Sequence, residues 1–65
     1  MKRFVKEYAK FRIDEINNLI ELSTFPATVE RLTNARSEIF KLVKACEMGL
    51  ITNNEAVSVI ASISF

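Results

Sequence analysis

The sequence predicts an all-α fold, an antiparallel helical hairpin over about residues 3–22 and 26–48 followed by a short C-terminal helix over about 53–63. Three observations carry that expectation. Apolar residues recur at spacings of three and four along two long stretches. The chain's single Pro and single Gly, Pro26 and Gly49, fall at the ends of those stretches. After the Gly comes Thr52-Asn53-Asn54-Glu55, the spacing of a capping box.

The first helix is read from Phe4, Val5, Tyr8, Ala9, Phe11, Ile13, Ile16, Leu19, Ile20 and Leu22, with no Gly or Pro among them. On a helical wheel these cover roughly 200°, about twice the stripe that one neighbouring helix buries. Two contact surfaces are implied. Phe4, Tyr8 and Phe11 lie on one side of the arc, and Ala9, Ile13, Ile16 and Ile20 on the other.

Ser23-Thr24-Phe25-Pro26 ends this pattern, because Pro cannot continue a helix yet suits the first turn of the next. Thr24 or Phe25 is the expected cap. The second helix is expected to present Val29, Leu32, Ala35, Ile39, Phe40, Leu42, Val43 and Cys46 as an ordinary core face. Gly49 supplies the left-handed residue after its end, with Leu50 folding back onto the last turn.

The tail is harder to read. Residues 56–65 carry no charge, and Val57, Val59, Ala61, Ile63 and Phe65 alternate with Ser58, Ser62 and Ser64, interrupted only by Ile60. That pattern and its β-branched content suit a strand, whereas the capping box suits a helix. Helix is the stronger reading, since a lone strand in a helical chain needs an edge elsewhere to pair with. Val57, Ile60, Ile63 and Phe65 are expected to form either a lid on the hairpin or a dimer contact.

A chain of 65 residues is read as one domain. At that size only about 60% of the unfolded surface is buried on folding, so some further source of stability is expected. Cys46 is the only Cys and there is no His, which leaves neither an internal disulfide nor the usual zinc ligands. Self-association into a homodimer is the remaining device.

No metal or cofactor is expected, nor an enzyme. The commonest general base is missing, Asp14 and Glu15 diverge as neighbours on a helix, and Cys46 falls on an apolar face. The basic start Met1-Lys2-Arg3 leads into charges, not the apolar stretch of a secretory signal, and no run has the length of a membrane span. Together with a free thiol this suggests a cytoplasmic protein with no membrane partner. The abundance of Ile, Asn, Lys and Phe suits an AT-rich bacterial or bacteriophage source.

Net charge is only +1 but unevenly spread. Residues 1–12 hold Lys2, Arg3, Lys6, Lys10 and Arg12 against Glu7, and residues 13–30 hold Asp14, Glu15, Glu21 and Glu30 with no base. The plain reading is a solvated face whose halves attract opposite halves in a hairpin or dimer. The sharper one is a phosphate-binding patch.

Three clusters qualify as sites. Phe4, Tyr8, Phe11 and Arg12 are the expected partner-binding group, aromatic rings with an Arg at their rim. Lys2, Arg3, Lys6 and Lys10 are the alternative contacts to nucleic acid, with the rings stacking on bases. Glu15 and Arg36 lie within the apolar arcs of their helices and are expected to pair and fix the hairpin register, since either charge buried alone costs about 3–5 kcal/mol.

The functional expectation is a small protein-binding regulator that occludes a surface of an unidentified partner protein. Adaptors, inhibitors and antirepressors work in this way. A nucleic-acid-binding modulator is the alternative.

Overall fold

The computed structural model describes residues 2–65, with side chains from residue 4 onward. It is all-helical, and among the described residues there is no strand. Helix α1 spans Lys2–Leu22, α2 spans Pro26–Glu47 and α3 spans Asn53–Ser62. The strand alternative for the tail is thereby excluded, and the helix boundaries fall within one residue of those expected.

Each boundary has a local cause. Pro26 opens α2 behind an extended Phe25, whose carbonyl accepts from Val29 N–H at 3.1 Å; no side chain caps this helix. At its far end Gly49 takes φ of +78°. Leu50 N–H then reaches the Ala45 carbonyl at 2.9 Å, and Gly49 N–H that of Cys46 at 3.1 Å, closing the six-residue loop that satisfies the last carbonyls of the helix. The Leu50 side chain does not fold back as expected. It is 71% exposed, and Ile51 packs on the core instead.

In α3 the box forms in full. Glu55 N–H donates to Thr52 Oγ1 at 3.1 Å, and Thr52 N–H to Glu55 Oε1 at 3.2 Å.

Helices α1 and α2 form the antiparallel hairpin, and α3 packs against both. One core joins all three, with Val5, Ala9 and Ile16 from α1, Leu32, Ala35, Ile39 and Cys46 from α2, and Ala56 and Ile60 from α3. Ile16, Ile39 and Ile60 are fully enclosed. The uncharged tail is therefore a third wall of the core. Its apolar side is turned inward, which is how so apolar a segment avoids water.

One expectation for α2 fails. Phe40 does not share the core face but stands 57% exposed. A residue next to Ile39 is turned about 100° around the helix, and Ile39 points straight at the core.

Candidate interaction surfaces

Helix α1 shows why its apolar arc is so wide. The Ala9–Ile13–Ile20 side faces α2, the Val5–Ile16 line enters the core, and Tyr8 packs partly against it. Phe4 and Phe11 lie beyond the reach of either neighbour, at 59% and 60% exposure. Tyr8 stacks on Phe4 with ring centroids 6.4 Å apart and planes 12° from parallel. Leu22 extends this edge toward the hairpin turn and is 80% exposed.

Arg12, expected at the rim of that patch, is turned the other way. Its Nη2 donates to the carbonyl of Ile63 at 2.7 Å, its guanidinium lies 4.4 Å from the centroid of the Phe65 ring, and Nη1 pairs with Glu15 at 3.1 Å. Nε is buried without a hydrogen-bond partner. Arg12 thus belongs to the tail's anchorage.

The expected Glu15–Arg36 register pair does not form. Glu15 takes Arg12, and Arg36 Nη1 donates to Asn17 Oδ1 at 2.6 Å across the α1–α2 contact. Two positions along a helix turn a side chain by about 200°, so Asn17 faces α2 where Glu15 faces away from it. The register contact is a charge-assisted hydrogen bond to an amide. No buried charge has to be neutralised.

Of the described basic side chains of α1, Lys6 and Lys10 share one face and Arg12 lies on another. Lys6 lies 3.7 Å from Glu47, and Lys10 lies 2.9 Å from Asp14. The side chains of Lys2 and Arg3 lie outside the described residues. In the tail Ile60 is buried, while Val57, Ile63 and Phe65 are half-buried against the core of the same chain.

Sequence reasoning missed a second exposed apolar region. Lys6, Ala9, Lys10 and Ile13 of α1 and Phe40, Val43 and Glu47 of α2 line an open groove of about 460 Å³. It lies on the face of the hairpin away from Arg12 and the α3 tail. Phe40 also borders Met48 and Leu50, which are 63% and 71% exposed. The signal that could have found it is angular, because Phe40 lies about 100° from Ile39 and about 120° from Cys46 on the α2 wheel.

Cys46 is enclosed, and its thiol donates to Asn53 Oδ1 at 3.0 Å. Among the described residues no group of three or more His, Cys, Asp and Glu is placed to hold a metal ion, and no helix is long and apolar enough to cross a membrane.

Fold and surface together define a three-helix domain with two uncovered apolar faces. No protein-family model matches the chain, and no similar curated protein or solved structure is found.

Proposed function

We propose that this protein is a small cytoplasmic, non-enzymatic regulator that binds another protein and occludes part of its surface, acting as a homodimer. The observation that supports it is the pair Phe4 and Phe11, two large rings left in water on one side of α1. Exposed aromatic area of this kind is scarce on chains that work alone, and aromatic anchors dominate binding energy at protein interfaces.

With Arg12 committed to the tail, the binding group is Phe4, Tyr8 and Phe11, edged by Lys and Glu of the outer α1 face. The non-enzymatic part of the reading is supported by the lack of His and by an enclosed thiol. The free Cys fits a reducing compartment. The regulator's particular role as adaptor, inhibitor or antirepressor follows from which partner surface it covers.

The test is co-purification from the native cell with tagged wild-type chain and a Phe4→Ser/Phe11→Ser double variant. A partner retained by the wild type and lost by the variant, at equal helical circular dichroism, supports the reading; equal retention by both sinks it. Lys6 and Lys10 keep a nucleic-acid reading in play, and salt separates the two. Capture of an oligonucleotide through phosphates weakens steeply between 50 and 200 mM salt, on the order of a hundredfold or more for several contacts. Capture by apolar rings does not.

A further inference from the structure

The groove around Phe40 belongs to the face of the α1–α2 hairpin that α3 leaves uncovered. Two cross-helix contacts fix its register. Lys6 meets Glu47 near one end, and Asn17 meets Arg36 further toward the turn. Ile13 and Phe40 lie at one level between them, close to the middle of α1, so the most exposed ring of this face stands near its centre.

From this geometry we infer that a second copy of the chain docks on this face across a two-fold axis passing beside Phe40. Two hairpins become an antiparallel four-helix bundle, with each α3 on the outside. The inference rests on the homodimer part of the proposed function and assigns it a surface.

Charge favours this occupant and this direction. Among the residues whose side chains are described, the end of the hairpin remote from the α1–α2 turn, residues 4–12 and 41–55, carries five basic and three acidic residues. The turn end, residues 13–40, carries five acidic and two basic, and the tail that runs back to it is uncharged. A two-fold axis perpendicular to the hairpin lays each basic end over the partner's acidic end, whereas a parallel arrangement superposes like charges.

Size and closure agree with it. The molecule measures 37 × 17 × 16 Å. Its long face, about 630 Å² in flat projection, reaches the low end of the roughly 600–1,000 Å² per partner of a stable interface. A two-fold contact uses the same patch on both chains, so it buries Phe40, Ile13 and Val43 of each copy and closes at two copies. It also leaves Phe4, Tyr8 and Phe11 outward, free for a different protein.

The test measures oligomeric state by sedimentation over a range of concentrations for the full chain and for Phe40→Ser and Phe11→Ser, with helicity followed by circular dichroism. The expected result is a wild-type dimer whose dissociation constant rises by about tenfold or more in Phe40→Ser. It stays near the wild-type value in Phe11→Ser. Raising salt weakens the dimer, as opposed charges require.

Phe40→Cys adds a test that does not depend on the Ser variant folding. Under mild oxidation it forms a disulfide-linked dimer, while wild type, with Cys46 enclosed, and Phe11→Cys do not. A monomeric wild type overturns both the homodimer and this surface. A wild-type dimer that Phe11→Ser dissociates and Phe40→Ser does not, or that leaves Phe40→Cys unlinked, overturns the surface alone.

Discussion

Arg12 of α1 donates from Nη2 to the carbonyl oxygen of Ile63, 2.7 Å away and 51 positions further along the chain. Ile63 follows the last turn of α3, where backbone carbonyls have no partner within the helix. The guanidinium supplies a charged donor there and covers the Phe65 ring with the same planar group. A side chain that was expected to reach outward thus fastens the end of the chain to the first helix.

Replacing Arg12 tests that role. Hydrogen bonds to charged groups contribute about 1.5–3 kcal/mol, and a cation–π contact about 0.5–2 kcal/mol. Relief of the unpartnered Nε returns part of this. Arg12→Met, which keeps an unbranched apolar stem, should cost about 1–3 kcal/mol in urea unfolding and increase proteolysis at the tail. Glu15→Ala should cost less than about 1 kcal/mol, because its remaining interaction is a half-exposed ion pair. Equal losses for the two variants would show that Arg12 matters through Glu15 and not through Ile63.

The capping box of α3 gives a second measurement. Thr52 and Glu55 satisfy each other's backbone amides at 3.1 and 3.2 Å, and this helix is only 10 residues long. Isolated helices of that length are marginal in water. Thr52→Ala should therefore destabilise the protein by about 1 kcal/mol, whereas Thr52→Ser, which caps at least as well, should leave it near the wild-type value. Hydrogen exchange should quicken first at the amides of α3. A Thr52→Ala protein with unchanged urea midpoint would mean that burial of Ala56 and Ile60 alone sets the start of the helix.

Helix boundaries were legible in the sequence because each is written in neighbouring residues. Pro26 starts one helix, Gly49 follows its end, and Thr52 with Glu55 opens the next. The two sides of the apolar arc of α1 were legible, but which part stays uncovered was not, since that depends on where α3 settles, and its place is fixed by contacts between residues far apart in the chain. The same cause misplaced Arg12, whose partner lies in the tail, and Arg36, whose partner is Asn17 and not Glu15. Phe40 was within reach of a stricter angular reading, but its neighbours Ile39 and Leu42 made the whole segment look like one core stripe.

The tail is the place where strand-like composition and helical structure conflict most, and Ile60 decides what that conflict costs. Its side chain is 0% exposed, and it sits in the core with Ile16 and Ile39. Truncating a fully buried Ile to Ala costs about 2–5 kcal/mol, through lost transfer energy and the cavity left behind. A domain of this size has roughly 3–10 kcal/mol of stability in all. Ile60→Ala should thus lower the urea midpoint severely, whereas Val59→Ala, at a 44% exposed position, should change it by less than about 1 kcal/mol. Deleting residues 56–65 removes the third wall of the core and should abolish most helical circular dichroism, α1 and α2 included. If the deleted chain keeps cooperative unfolding and a full hairpin's helicity, the tail is an accessory lid and the hairpin is a self-sufficient fold.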